Sequence, residues 1–274
     1  MKVMEQVYQI RIDFQVTEKV QRFVHVYLIA GENCYLIDTG VAGSERIIAE
    51  YMQGIGRSID EVKAIFLTHT HPDHIGSAAA IRQQTDCKIY CSAEEQPWIA
   101  DIDLQFRERP IPNFYGLAGQ SVPIDEIVWE GDRIKVEDDI ELEVIGTAGY
   151  SKGDVSYLLK GCELFSGDAV PAAWDFPIFV NFEESMHSLD KIRGCAFVKC
   201  CPAWDRVYEN GECEALLRDR KDLLYNLKET VIMTDRQHAG LSENEKISMI
   251  AKRMGLNGGV GNPLFAASVE ACRN

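Results

Sequence analysis

Nowhere in the chain is there an uninterrupted apolar run of the roughly 18 residues that a membrane helix needs. The opening MKVMEQVYQIRIDFQV alternates charged, polar and apolar residues, so it offers no hydrophobic region for a signal peptide, and a cytoplasmic protein is expected. Cations are also scarce. Against 43 Asp and Glu stand 28 Lys and Arg, a net charge of -15, which repels phosphate backbones and anionic membrane surfaces unless basic residues concentrate locally. Neither nucleic acid nor a membrane is an expected partner, and the oligomeric state is left open. A disulfide framework is missing too: nine cysteines are an odd number, scattered along the chain, with Cys200 and Cys201 adjacent. Reduced thiols are expected. Cys195, Cys200 and Cys201 lack the paired Cys or His that would make them a metal site.

What is present is ordinary globular usage, 46% apolar and 26% charged, which disfavours disordered, collagen-like and fibrous readings. No internal repeat and no linker divides the 274 residues, so one domain over 1–274 is expected. Short apolar runs at Val24–Ala30 and Cys34–Asp38, split by Gly31-Glu32-Asn33, read as a hairpin. Ile47, Ile48, Tyr51, Met52 and Ile55 recur on one helix face, closed by Gly56. A strand at Lys63–Leu67 follows. Further strands are expected at Arg133–Val136, Ile140–Ile145, Val155–Leu159 and Glu163–Phe165, and helices near 184–193, 213–231 and 244–254, within a helical C-terminal region of about 210–274. The stretch of about 97–123 has Pro110, Pro112, Gly116 and Gly119 among aromatics and no clean period, which predicts an irregular excursion and a candidate lid.

Histidine is scarce. There are six, and three fall in the segment Thr68-His69-Thr70-His71-Pro72-Asp73-His74, between the Lys63–Leu67 strand and a helical SAAAIRQQ. Strand-to-helix junctions are where α/β sheets present ligands. Imidazole nitrogen and carboxylate oxygen suit zinc, iron or manganese, and ligands two apart on extended chain project to one side. Pro72 ends the strand, and Asp73 and His74 enter the helix, so one segment offers four donors. The bland alternative is a polar loop whose histidines bond backbone carbonyls.

The segment THTHPDHIGS resembles the H-x-H-x-D-H signature of the metallo-β-lactamase superfamily. Asp38-Thr39-Gly40 is similar to a turn of that family, and Phe165-Ser166-Gly167-Asp168-Ala169 to its F-[ST]-G-D segment, so the resemblance covers about residues 1–240. It implies an αββα sandwich of two packed sheets flanked by helices, with one or two ions, Zn2+ or else iron or manganese, held by His69, His71, Asp73, His74 and Asp168. Two family histidines are replaced. Tyr150 stands where one is expected, in Thr147-Ala148-Gly149-Tyr150-Ser151, and Ala203-Trp204-Asp205 where the last is expected. Tyr150 and Asp205 are therefore candidate replacement ligands, Tyr150 otherwise filling the space of the lost imidazole. A phenolate needs a strong Lewis acid, which raises iron as an alternative.

The implied activity is metal-dependent hydrolysis of a small ester, thioester, lactone or amide by a metal-bound hydroxide that Asp73 orients. The alternative is a degenerate member that binds a metal or metabolite without turnover. A redox di-iron centre is the weakest option, since no flavin-binding segment accompanies the domain.

Overall fold

Period-two side-chain alternation builds the first half of the molecule. In β1 (Val7–Thr17), β2 (Val20–Ala30) and β3 (Cys34–Ile37) one set of side chains, Ile10, Ile12, Val24, Val26, Leu28 and Leu36 among them, faces an outer layer of helices. The other set, including Tyr27, Ile29, Tyr35 and Ile37, faces inward. These three strands pair antiparallel, and β4 (Val62–Phe66), β5 (Lys88–Ser92) and β6 (Glu126–Val128) join them in parallel, giving a mixed sheet in the order β1-β2-β3-β4-β5-β6. The second sheet contains β7 (Arg133–Lys135), β8 (Glu141–Gly146), β9 (Val155–Leu159), β10 (Glu163–Gly167), β11 (Lys199–Pro202) and β12 (Tyr208–Glu209), also in chain order across the sheet. It is mixed as well, because β11 runs parallel to β10.

The computed structural model describes residues 1–273 and is the expected αββα sandwich. Outside the first sheet lie α1 (Ser44–Gly54), α2 (Pro72–Ile75) and α3 (Ala78–Thr85), with Ile48, Met52 and Ile81 in its outer core. The excursion holds α4 (Gln96–Ala100), α5 (Ile102–Glu108) and α6 (Phe114–Ala118). Over the second sheet lie α7 (Phe182–Gly194), α8 (Asn210–Gln237), α9 (Glu243–Arg253) and α10 (Pro263–Ala271), which share an outer core through Leu189, Leu224, Ile250 and Phe265. Between the sheets, Phe66, Tyr157 and Phe165 are fully buried. Truncating any one of them costs about 3–5 kcal/mol, so the loops at the sheet ends rest on a rigid base.

Several expectations are extended. The opening alternation is strand β1; Gln9, Arg11 and Asp13 between its apolar residues make it look unlike a continuous run. Strands β5, β11 and β12 and helix α10 lie outside the periodic segments. The tail after the Gly/Asn stretch folds because the Asn262 side chain caps the first turn and Pro263 starts it. The 97–123 stretch is three short helices, too brief for a readable 3.6-residue period. Among the described residues no helix is long and apolar enough to cross a membrane.

Candidate metal centre

Parallel pairing of β3 and β4 sets their C-terminal ends side by side. Asp38, just past β3, adopts φ 60°, a left-handed conformation rare for a residue with a Cβ. Three hydrogen bonds hold it there. Its carboxylate accepts from the Thr68 backbone N–H, the Thr68 hydroxyl and His74 Nδ1, each at 2.8 Å. Because His74 donates through Nδ1, its Nε2 carries the free lone pair. His69 is oriented in the same sense: its Nδ1 lies 3.1 Å from Thr68 Oγ1 and 3.3 Å from Asp154 Oδ1, leaving Nε2 free. His71 caps α2 at its N-terminus, Pro72 begins that helix, and Asp73 and His74 lie on its single turn, as expected.

The second sheet delivers Asp168 from the end of β10. Gly167 has φ 50°, and a Cβ there would stand 2.5 Å from Thr68 Oγ1, so only glycine lets this strand end approach so closely. Asp168 Oδ1 lies 3.3 Å from His74 Nε2, Asp168 Oδ2 3.9 Å from His69 Nε2, and Asp73 Oδ2 3.7 Å from His74 Nε2. One donor atom from each of His69, His74 and Asp168 falls within 4.8 Å of the others.

Five side chains here each have one buried atom without a hydrogen-bond partner among the described residues: His69 Nε2, His71 Nδ1, Asp73 Oδ2, His74 Nε2 and Asp168 Oδ1. An orphaned buried polar atom costs about 1–3 kcal/mol, so five in one place call for a shared partner. Nearby buried carboxylates Asp38, Glu95 and Asp168 add negative charge that a cation offsets, while burial, then Glu95, raises Asp154 well above the usual carboxylate range. Burial lowers His69 and His71 well below the ordinary histidine value, which keeps them neutral. Against the same burial, the Asp168, Asp38 and Asp73 carboxylates raise His74 well above it. The donor set, imidazole nitrogens plus carboxylate oxygens, fits a divalent transition ion, which would take the place of the proton on His74 Nε2.

Tyr150 reaches the cluster. It lies in the loop joining β8 to β9, its ring centroid 5.2 Å from that of His69 and 5.0 Å from that of His71. Gly149 before it has φ 133°, and a Cβ there would collide with Ser185. Burial, then the Asp168 carboxylate, pushes the phenol well above its ordinary value, which favours a protonated O–H donor over a phenolate.

Asp205 is not brought to the cluster. Its Oδ2 accepts from the Ala173 backbone N–H at 3.2 Å and its Oδ1 from that of Arg206 at 2.8 Å, so both carboxylate oxygens are engaged with backbone just past β11. His25 lies beside the Asp205 backbone, with its ring 5.1 Å from that of Phe23, and burial lowers its pKa to about 4. His187 is exposed on α7, and His238 caps the end of α8.

Several residues of the site have no sequence signal. Glu95 is fully enclosed and ties the two halves together, accepting from Thr70 N–H at 3.0 Å, Thr70 Oγ1 at 2.6 Å, Gly153 N–H at 2.9 Å and the Ser151 hydroxyl. Gln105 of α5 donates to the Thr70 carbonyl at 2.6 Å, and Trp98 of α4 lies 5.9 Å from the His71 ring. The excursion is thus packed onto the H-x-H segment. Asp38 has a signal, as the Asp-Thr-Gly turn, without its role as the partner of His74. From this cluster a cavity of about 310 Å³ opens, with Asp73, Arg109, Tyr150 and Asp168 on its wall.

The profile of the metallo-beta-lactamase superfamily matches residues 20–198. The chain belongs to this family. Among relatives in the superfamily, it is 32% identical over 145 residues to the "Probable metallo-hydrolase YqgX" of Bacillus subtilis, covering 53% of this chain and 64% of that one. It is 26% identical over 149 residues to a hydroxyacylglutathione hydrolase of Xanthomonas euvesicatoria, covering 54% of this chain and 46% of the relative. The match thus spans less than two thirds of either relative's length. Of solved structures, a metallo-beta-lactamase family protein from Thermus thermophilus superposes with a TM-score of 0.73 at 17% identity, over 99% of this chain and 93% of that one. A beta-lactamase domain protein from Burkholderia ambifaria gives 0.70 at 17% identity, over 97% and 86%. At these identities the structural likeness speaks for the metallo-beta-lactamase fold alone.

Proposed function

We propose that the chain is a metal-dependent hydrolase acting on a small ester, thioester, lactone or amide in the cytoplasm. The unpartnered buried donor atoms of His69, His71, Asp73, His74 and Asp168, those of His69, His74 and Asp168 grouped within 4.8 Å of one another, carry this reading. When bound there, zinc, iron or manganese supplies Lewis acidity, lowering the pKa of water toward neutrality and polarising an acyl oxygen. The chain's own contribution is positioning. Asp38 and Asp154 fix the imidazole tautomers, and Asp73 accepts a hydrogen bond from the attacking water and so orients it. Tyr150 offers a neutral O–H to the acyl oxygen side of the cavity. Phe14, Ile111 and Leu117 on the cavity wall exclude bulk water from the reacting centre.

Elemental analysis of the purified protein, without chelator, tests the reading against an Asp168→Ala variant. One to two equivalents of zinc, iron or manganese in the parent, falling in the variant, together with turnover in an ester and lactone screen, are expected. No metal after reconstitution overturns it. Metal without turnover leaves a binding protein on a hydrolase fold, the rival reading that the loss of two histidines motivates.

A further inference from the structure

The cavity beside the donor cluster has two arginines, and the protein neutralises one of them. Arg22, on β2, pairs with Asp175 at 3.4 Å and lies 5.8 Å and 6.0 Å from the Trp174 and Trp204 rings. Arg109, at the C-terminal end of α5, has no side-chain hydrogen bond, ion pair or aromatic face among the described residues. Its position is fixed all the same. Gln105, one turn earlier, is anchored to Thr70 at 2.6 Å, and the Arg109 backbone N–H donates to the Gln105 carbonyl at 2.7 Å. Arg109 lines the same cavity as Asp73, Tyr150 and Asp168.

Asp73 and Asp168 of the donor cluster and Asp175, the partner of Arg22, also line the cavity, and most of the remaining wall is apolar, with Val16, Ile111, Leu117, Ile178 and Leu264 contributing. A partly desolvated guanidinium without a counterion gains from an incoming anion, and its planar fork matches the two oxygens of a carboxylate. The volume of about 310 Å³ is at the low end of the roughly 300–1,000 Å³ typical of small-molecule sites, which limits the occupant to a compact body.

We infer that this cavity takes a small carboxylic acid with an aliphatic or aromatic body, its free carboxylate paired with Arg109 and its apolar part along the Val16, Ile111 and Leu264 wall. The inference rests on the hydrolase reading in treating that occupant as the substrate class. Binding itself does not require turnover. Arg109 is on this account the residue that selects an anionic substrate over a neutral one.

Isothermal titration of the protein as purified, with octanoate and with its neutral counterpart octanamide, tests this in the parent, R109Q, R109K and R22Q. R109Q is expected to weaken octanoate at least about tenfold and octanamide by less than about twofold, the signature of one lost charge-assisted pair. R109K keeps part of the preference, and R22Q leaves the ratio of the two affinities unchanged. Carboxylate coordination by a bound ion would persist in R109Q, so it does not imitate this pattern. Equal weakening of both probes, no weakening of either, failure of octanoate to bind the parent, or transfer of the effect to R22Q would overturn the proposal. A chain without turnover that still shows the R109Q pattern sinks the hydrolase reading and leaves the carboxylate site standing.

Discussion

At the ends of the first sheet's strands, one short segment after β4 carries His69, His71, Asp73 and His74, and each has a free donor atom. At the facing ends of the second sheet, β8, β10 and β11 lead to Tyr150, Asp168 and Asp205, and of these Asp168 alone offers an orphaned atom. Tyr150 packs its ring on the histidines, and Asp205 turns to backbone. The first half is rigid because its donors are local in sequence and Asp38, a buried hub, binds His74 directly and Thr68, whose hydroxyl lies beside His69 Nδ1. The second half draws its three residues from separate loops, one after each of β8, β10 and β11. The contrast teaches that a metal centre built across two sheets varies most easily on the side where its ligands come one per loop.

Breaking the rigid half should have the largest effect. Asp38→Ala removes three buried hydrogen bonds and releases the His74 ring; a loss of roughly 3 kcal/mol in stability and about 10–100-fold in metal affinity is expected. Urea melts and chelator competition check it, and near-parental values in both would mean that the hub does not orient the histidine. Refilling the variable half comes next. Tyr150→His restores an imidazole beside His69 and His71, and zinc affinity should rise by about tenfold, roughly 1.4 kcal/mol. A fall in metal content instead would show that the phenol itself serves the ion. The smallest effect belongs to Asp205→Ala: about 1 kcal/mol of stability from the two backbone contacts, with metal content unchanged. Loss of an equivalent of metal in that variant would erase the distinction drawn between the two halves.

Much of the site is legible in the sequence because its densest part is contiguous. Three of six histidines within His69–His74, after a five-residue apolar strand, announce a ligand loop by local pattern alone. Tyr150 is identifiable as the odd residue in a family-like segment, and the fold puts it against the histidines. Asp205 reads as a ligand by its position next to Trp204, yet its side chain is captured by two neighbouring N–H groups, a local choice that residue type does not reveal. Glu95, Asp154 and Arg109 are invisible in the sequence because each lies in its own loop, more than twenty residues along the chain from the histidines or alone in the excursion. Strand β1 is obscured by its own amphipathic alternation, and α4 to α6 by their brevity.

By itself the sequence determined most of the strands and helices and the H-x-H-x-D-H donors, since these follow from short-range patterns: side-chain period, a proline that ends a strand, and ligands a few residues apart; the αββα layering is implied by the family resemblance those motifs carry. Tertiary structure alone decided which distant groups face those donors. Asp168 reaches them because Gly167 admits the approach of Thr68. Asp38 and Asp154 choose the imidazole tautomers, Asp205 is held by two backbone N–H groups, and Arg109 is left without an ion pair among the described residues, in a largely apolar cavity. These outcomes depend on how two sheets pack at their ends, where contacts link residues far apart in the chain and no local pattern records them.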